Sequence, residues 1–248
     1  MNAFETLVKV EIKRGNKIFP GAMPISFSRR HLELLKDNDS YVATPKTDGE
    51  RVMLHIKKNG IIDVVYRNFE HKRLDIRIQG EVMKELGDIV LDGELIGPLD
   101  NNKYLFYPFD ILYVSSKSIE KDNYVDRLRA LTTILISMFK TTNLNKLTSK
   151  FEINIKKFEY CFEKEKKCNI FKKIVDLLTI ESSNKMVNND GLVFTPIKSK
   201  YIRGTWGERN SNGNPRLPLL KWKPPWENTI DFRIKPESQY MNWHRLMV

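Results

Sequence analysis

The segment KTDGER, residues 46–51, places a lysine immediately before a predicted β-hairpin. A lysine amine is a nucleophile only when it is neutral, so Lys46 would need a pocket that desolvates it or nearby cations that lower its pKa. Lys221 and Lys223, in LLKWKPP, are cations that could also bind phosphate, and strand alternation puts both on one face, with Trp222 on the other. Each motif alone is equally typical of an exposed turn or strand surface.

Carboxylates occur inside two other apolar segments. Asp92 and Glu94 lie in VLDGELIG, and Asp190 opens NDGLVF. Acidic residues are poor strand formers and are unfavourable to bury unpaired. A hard cation such as Mg²⁺ would explain them, because it is held by a few carboxylates together with phosphate oxygens. An Asp-Gly pair taken alone could also mark a simple turn.

Familiar nucleotide-binding and hydrolase signatures are missing from the chain, among them GxxxxGK[ST], GxGxxG, HExxH and GxSxG. Side chains would therefore have to bind the phosphates of any nucleotide. Lys and Arg outnumber Asp and Glu by 42 to 31, a net charge of +11. This excess fits a polyanionic partner such as nucleic acid, and it fits a lysine-rich composition without such a partner equally well. The lysine-rich stretch 156–173 could contact RNA, but we favour its interpretation as a solvated helix face.

The rest of the composition restricts the location of the protein. Only two cysteines, Cys161 and Cys168, and four dispersed histidines are present, so no clustered zinc ligands are expected, and a reducing compartment is favoured. The chain has no apolar stretch of membrane-spanning length and no secretory N-terminus. We expect an intracellular protein of the nucleus or cytoplasm that is neither secreted nor bound in a membrane.

Hydrophobic patterning predicts an α+β fold with mainly antiparallel connections. Two strands, 49–58 and 61–68, flank Asn59-Gly60, a dipeptide that favours a two-residue hairpin turn. Further strands are predicted at 89–96, 104–114, 151–158, 190–197, 219–223 and 230–234, helices at 126–140 and 169–179, and a loop at 204–218.

Five motifs in this order, KTDGER, VLDGELIG, FYPFDILY, NDGLVFTP and LLKWKPP, resemble the collinear motifs of covalent lysine nucleotidyltransferases. These are the capping guanylyltransferases and the ATP- or NAD-dependent polynucleotide ligases. Thr47, the upstream segment FPGAMPIS and the downstream NTIDF favour the capping branch. The resemblance covers about residues 17–234 and implies an α+β nucleotidyltransferase fold, ligase-like or ATP-grasp-like, of largely antiparallel sheets with flanking helices.

The resemblance also implies a chemistry. Lys46 would attack the α-phosphate of GTP with Mg²⁺ or Mn²⁺, and the resulting lysyl-GMP would pass to the 5′-diphosphate end of RNA. Phe109 would stack on guanine, Lys198 would donate to its O6, and Lys221 and Lys223 would bind the α-phosphate. The other implied positions are Thr47, Arg51, Arg67 and Glu94 at the nucleotide, Asp190 and Glu94 near the metal, and Asp48 and Asp231 as further motif residues.

The expected domains are 1–227 for the nucleotidyltransferase and 228–248 for the start of a truncated OB-type lobe or a linker. No RxDK-type motif follows Pro224, and fourteen residues after IDFRI are too few for a five-stranded barrel. We therefore expect the chain to bind GTP, to form the lysyl-GMP adduct slowly, and to work with further domains or subunits of a capping enzyme.

Two alternatives remain. An ATP-dependent nucleic-acid ligase would differ in the nucleotide that labels Lys46. A non-catalytic platform of the same fold would bind RNA or a partner, but it would have no need for the intact set Lys46, Glu94, Asp190, Lys221 and Lys223.

Overall fold

The structure is a computed structural model that describes residues 2–36, 40–78, 81–99, 102–142, 150–161, 169–182, 188–225, 233–236 and 244–247. Within these ranges the helices are α1 (Ala3–Leu7), α2 (Glu81–Leu86), α3 (Tyr124–Thr142) and α4 (Ile170–Ser182), with a 3-10 helix at Arg29–Leu35. None of the described helices is long and apolar enough to cross a membrane.

Two sheets form the body of the fold. The first sheet contains β5 (Glu50–Ile56), β6 (Ile61–Tyr66), β7 (His71–Arg77), β8 (Ile89–Ile96), β9 (Tyr104–Val114), β10 (Lys117–Ser118) and β11 (Phe151–Ile153). The second contains β3 (Ala22–Ser26), β4 (Tyr41–Thr47), β12 (Asn189–Pro196), β13 (Gly204–Trp206) and β14 (Leu220–Trp222). Separate hairpins pair β1 (Glu11–Lys13) with β2 (Asn16–Ile18), and β15 (Arg233–Pro236) with β16 (His244–Met247).

Strand order in the first sheet is β10-β9-β8-β5-β6-β7, with β11 beside β9, and in the second it is β13-β3-β14-β12-β4. Neighbours are antiparallel, except that β11 runs parallel to β9, and β3 runs parallel to both β13 and β14. The predicted α+β fold with largely antiparallel sheets is therefore confirmed.

Helix α3 covers the outer face of the first sheet because its apolar side chains recur at three- and four-residue steps. Leu131 and Ile134 of α3 pack in one core with Val52 and Leu54 of β5. A second core, containing Met53 and other alternate residues of the first sheet, fills part of the space between the two sheets. Residues of one strand thus alternate between the helix-covered face and the inter-sheet space.

Helix α4 covers the second sheet on its far side, where Ile170 and Leu177 pack with Ala43, Leu192 and other residues of β4, β12 and β14. The layers are therefore helix, sheet, sheet, helix. Cys161 belongs to this third core and is disulfide-bonded, a bond that the sequence analysis, which favoured a reducing compartment, did not predict.

Several predicted boundaries differ from the structure. The hairpin loop is one residue longer than predicted: Lys57 N–H bonds to Ile61 O, and Gly60 N–H bonds back to Lys57 O. Gly60 adopts a φ of +82°, and a Cβ there would lie 2.0 Å from the carbonyl oxygen of Ile78, so the tertiary contact selects this turn.

Two predicted segments are corrected. The predicted strand 151–158 ends at Ile153, because only Phe151–Ile153 pair with β9. The predicted loop 204–218 begins with β13, which pairs with β3. Of the predicted strand 230–234, only its last two residues are described; they open β15. Asp231 lies outside the described residues.

Candidate active site

A cavity of about 240 Å³ lies between the two sheets. Strand alternation explains its polar lining: β5 buries Val52 and Leu54 beneath α3 and so turns Arg51 towards the other face. Charged and polar groups from both sheets meet there, including Thr44, Lys46, Thr47, Arg51, Arg67, Asp92, Glu94, Phe109, Asp110, Tyr124, Lys156, Thr195, Tyr201 and Lys221. Seven of the twelve residues singled out from the sequence, Lys46 among them, thus line one cavity.

Asp190 joins the predicted nucleophile to the C-terminal lysine pair. Its Oδ1 lies 2.7 Å from Lys46 Nζ, and its Oδ2 lies 2.5 Å from Lys223 Nζ. Burial alone would raise the pKa of Asp190, but the hydrogen bonds from Lys223 and Lys46 outweigh burial and lower that pKa. Asp190 is therefore a charged carboxylate that holds two lysines at the edge of the cavity.

The position of Asp190 depends on the glycine that follows it. Gly191 has a φ of +145°, and a Cβ there would lie 1.9 Å from the carbonyl oxygen of Trp222 on β14. The pairing of β12 with β4 is also irregular between Asn189 and Leu192. The Asp-Gly pair is thus a point of close strand approach rather than a simple turn, and this approach brings Asp190 within reach of both lysines.

Arg51 is held rigidly by Asp92. The two side chains form a bidentate pair, with Nε to Oδ1 at 3.0 Å and Nη2 to Oδ2 at 2.6 Å, and Arg51 also donates to the carbonyl of Ala22. Tyr201 donates its hydroxyl hydrogen to Asp92 at 2.5 Å and accepts the N–H of Ala22 at 2.9 Å. Burial opposes the charged guanidinium, yet the Asp92 carboxylate outweighs burial and raises the pKa of Arg51.

Phe109 lies beside two cations. The guanidinium carbon of Arg51 is 5.2 Å from the ring centroid, and Lys156 Nζ is 5.7 Å from it. The ring is half-buried, while its neighbours Pro108 and Asp110 are buried. Tyr124 donates a hydrogen bond of 2.9 Å to the backbone carbonyl of Phe109. Phe109 therefore faces the cavity and its charged groups, where a flat ligand could stack on it, rather than the apolar core.

A fully buried ion pair supports the Phe109 segment from behind. Arg127 donates to both oxygens of Asp110, at 2.8 and 2.9 Å, and also to the carbonyls of Asp122 and Ser199 at 2.7 and 3.1 Å. Burial raises the pKa of Asp110 despite the opposing effect of Arg127. The pair fixes the strand that carries Phe109.

Glu94 is the carboxylate that best fits a metal ion. Burial raises its pKa, against the opposing effects of Lys156, Arg51 and Lys46, so an added cation would favour its charged form. The described part of the chain contains no group of three or more His, Cys, Asp or Glu side chains placed to hold a metal. Mg²⁺ is commonly held by one or two carboxylates, phosphate oxygens and water, so Glu94 fits a metal that arrives with a nucleotide.

Two predicted residues lie away from the cavity. Lys198 is exposed, follows the end of β12 opposite to Asp190, and does not line the cavity. Asp48 is also exposed; its N–H bonds to the carbonyl of Asn188, and this bond ties the end of β4 to the segment before β12. Neither residue lines the cavity.

Sequence reasoning missed several residues around the cavity. Lys156 is buried and lines it, so the interpretation of residues 156–173 as a solvated helix face is wrong at that position. Nothing in the lysine-rich sequence distinguishes Lys156 from its neighbours. Asp110 did carry a signal, because an aspartate inside the apolar strand FYPFDILY requires a buried partner; Arg127 and Tyr201 gave none.

The fold is similar to that of a mycobacterial DNA ligase D complexed with ATP and MES, with a TM-score of 0.52 at 13% identity over 82% of this chain and 59% of that one. This similarity identifies the architecture as the ligase-like nucleotidyltransferase fold. Residues 2–225 match the family described as "mRNA capping enzyme, catalytic domain", and the chain belongs to that family.

Similar proteins carry the corresponding names. The mRNA-capping enzyme subunit alpha of Saccharomyces cerevisiae is 29% identical over 88% of this chain and 48% of its own length. The mRNA-capping enzyme of Caenorhabditis elegans is 29% identical over 94% of this chain and 36% of its length. The subunit alpha of Schizosaccharomyces pombe is 30% identical, with 88% and 54% covered. The chain thus spans about half or less of the length of these relatives.

Proposed function

We propose that this chain is an mRNA guanylyltransferase in which Lys46 carries GMP between GTP and RNA. The Lys46 amine attacks the α-phosphorus of GTP, a phosphorus–nitrogen bond forms, and the bond to pyrophosphate breaks. The lysyl-GMP then passes its guanylate to the 5′-diphosphate end of RNA. The observation that carries this proposal is the bridge that Asp190 makes between Lys46 and Lys223 at the edge of a cavity that also contains Phe109.

The bridge suggests how the nucleophile is prepared. Lys46 Nζ donates a hydrogen bond to Asp190, and a lysine amine attacks phosphorus only when it is neutral. Arrival of a triphosphate would draw Lys223 towards the phosphate oxygens. Asp190 would then lose one of the two hydrogen bonds that lower its pKa and would become a better acceptor for a proton from Lys46. Catalysis would otherwise depend on positioning and charge neutralisation, as in other phosphoryl transfers.

Guanine selection is assigned to Phe109 and Lys156. A base stacked on Phe109 would have the Lys156 ammonium near its edge, since Nζ lies 5.7 Å from the ring centroid. Guanine presents O6 and N7 as acceptors to such a donor, whereas adenine replaces O6 with a donor amine. Lys156 therefore takes the role that the sequence suggested for Lys198, which is exposed outside the cavity.

The remaining nucleotide contacts follow from the lining of the cavity. Lys221 and Arg67 would bind phosphate or ribose oxygens, and Arg51 would present a fixed, charged surface beside them. Mg²⁺ or Mn²⁺, held by Glu94 and the triphosphate, would neutralise developing charge. The partners would be GTP, 5′-diphosphate RNA and further parts of a capping enzyme, in the nucleus or cytoplasm.

Labelling with radioactive nucleotide tests the proposal. The wild-type chain, incubated with α-labelled GTP and Mg²⁺ or Mn²⁺, should retain label on a denaturing gel, and Lys46→Arg should retain none. Labelling by ATP instead would support the ligase alternative, and labelling by neither nucleotide would support a non-catalytic platform.

A matched pair of variants tests the origin of the specificity. Lys156→Ala should lower labelling by GTP relative to ATP, because one donor to the guanine edge is lost. Lys198→Ala removes the same charge from an exposed site and should leave the ratio unchanged. A larger effect at Lys198 than at Lys156 would contradict the assignment.

A further inference from the structure

A second cavity, of about 510 Å³, lies on the α3-covered face of the first sheet, near its β7 edge and the start of β9. Its lining includes Val64, Leu95, Tyr66, Tyr104, Lys72 and Lys150. The proposed guanylyltransferase chemistry uses none of these residues.

The cavity combines an apolar floor with aromatic and cationic groups. Tyr66 and Tyr104 are half-buried, and Lys72 and Lys150 are exposed. Lys72 Nζ lies 5.1 Å from the Tyr104 ring centroid. Aromatic faces on which bases stack, beside cations that follow the phosphates, are the usual features of single-stranded nucleic-acid sites.

Two further charged residues of β7, Arg73 and Asp75, also border this cavity. Arg73 donates to Asp63 at 3.1 Å, and β7 alternation places its side chain on the face opposite to Lys72. Asp75 shares the face of Arg73 by the same alternation. Lys72 is therefore the charged β7 residue on the face of the sheet that carries the cavity floor, while Arg73 and Asp75 border the cavity from the other face of β7.

The second cavity and the active site lie at the same end of the first sheet, on its two faces. Leu95 lines the second cavity, while its neighbour Glu94 lines the active site. Tyr66 and Arg67 are divided in the same way at the end of β6. An RNA strand whose 5′ end lies at Lys46 could therefore pass over the strand ends near Arg67 and reach the neighbouring Tyr66 on the other face of the sheet.

We propose that this second cavity binds a base and its phosphate from the acceptor RNA, a few nucleotides behind the 5′ end that receives GMP. The inference rests on the proposed function for the direction of the RNA. Single-stranded RNA is the occupant because the walls offer stacking faces, Lys72 and Lys150 offer positive charge, and the whole chain carries a net charge of +11. On binding, a base takes the place of Lys72 on the Tyr104 ring, and Lys72 moves to a phosphate.

Direct binding tests the cavity. Fluorescence anisotropy with a labelled 5′-diphosphate RNA of about ten nucleotides would compare the full chain with Tyr104→Leu and Lys72→Gln. Loss of a stacked base should weaken binding roughly five- to hundredfold. Loss of one phosphate contact should reduce the slope of log K against log salt by about 0.7. Lys13→Gln, which removes the same charge from exposed β1, is the matched control and should change neither quantity.

Photocrosslinking of the wild-type chain provides a readout that does not depend on variants. RNA carrying a photoreactive base should attach to the peptides that contain Tyr66 or Tyr104. Wild-type RNA affinity in both variants, or crosslinks confined to other peptides, would overturn the inference. If the cavity instead binds a protein segment, the RNA affinity of both variants would also stay at the wild-type value, and the inference would be overturned.

Separate measurements test the proposed guanylyltransferase function and the RNA site in the second cavity. The variants at Tyr104 and Lys72 should keep wild-type labelling of Lys46 by GTP, but they should raise the KM for ten-nucleotide acceptors and leave that for dinucleotide acceptors unchanged. If Lys46 is not labelled in the wild-type chain, the proposed function fails, and the binding assay still tests the cavity. If Lys46 is labelled and the variants bind RNA with wild-type affinity, only the inference about the cavity fails.

Discussion

Replacing Arg127 with methionine removes the cation from an ion pair that the structure encloses. Arg127 is fully buried and Asp110 is nearly so, and the guanidinium makes bonds to both oxygens of that carboxylate. Methionine has a similar length and no charge, so the variant fills most of the space and leaves the Asp110 charge without its partner. The free energy of unfolding should fall for this electrostatic reason rather than because of a cavity.

The magnitude follows from the burial. Removal of one partner from a buried pair typically lowers stability by about 3–5 kcal/mol, because an uncompensated charge remains in the interior. The carbonyls of Asp122 and Ser199 also lose a donor. The double variant Asp110→Asn, Arg127→Met removes both charges, and asparagine can still accept the bond from the Ile111 N–H. The double variant should therefore recover part of the loss.

Urea unfolding at several pH values would measure these effects. The pKa of Asp110 is already raised by burial, and loss of Arg127 would raise it further. Its folded pKa then exceeds the unfolded value, so protonation favours the folded state. The loss in Arg127→Met should shrink as the pH falls through the raised pKa. A loss below about 1 kcal/mol, which is typical of exposed pairs, would refute the buried geometry, and so would a double variant no more stable than the single one.

Two further predictions concern Gly191 and His55. Gly191→Ala should lower stability by roughly 2–4 kcal/mol and reduce labelling by GTP, since its Cβ would meet the Trp222 carbonyl at 1.9 Å in a strained φ; urea unfolding and labelling measure both. Gly213→Ala, at a φ of +78° with no atom nearby, isolates the backbone strain and should lower stability by about 1 kcal/mol; an equal loss at both glycines would contradict the steric argument. Burial lowers the pKa of His55, so stability should fall as the pH drops below its ordinary value of 6.5, because the unfolded chain binds the proton more readily. In thermal unfolding, the stability of His55→Leu should depend less on acid pH than that of the wild type. The same pH profile in both proteins would contradict this role of His55.

The sequence predicted the elements that local patterning determines. The strands at 89–96 and 104–114 match β8 and β9 at both ends, because apolar runs bounded by turn residues mark them clearly. The two predicted helices match α3 and α4 to within a few residues, whereas α1 and α2 were not predicted. The short parallel strands β11 and β13 were missed or overextended, since each depends on a partner distant in sequence.

The site was predictable where a motif combined residue type with position. Lys46, Glu94 and Lys221, which the motifs single out, line one cavity, and Asp190 contacts Lys46. Lys156 and Lys198 show the limit of that approach. Both are lysines in polar segments, and only the packing of residue 156 beside Phe109 distinguishes a cavity residue from an exposed one. Spacing along the chain does not contain that information.

Peptide mapping of the GTP-treated chain would show whether Lys46 carries the guanylate. The chain would be incubated with GTP and a divalent metal, digested at a pH that preserves the phosphorus–nitrogen bond, and analysed by tandem mass spectrometry. We expect one added guanylate on the peptide that contains Lys46, attached at the Lys46 side chain and absent from Lys46→Arg. A guanylate on any other residue, or an unmodified Lys46 peptide after prolonged incubation, would contradict it.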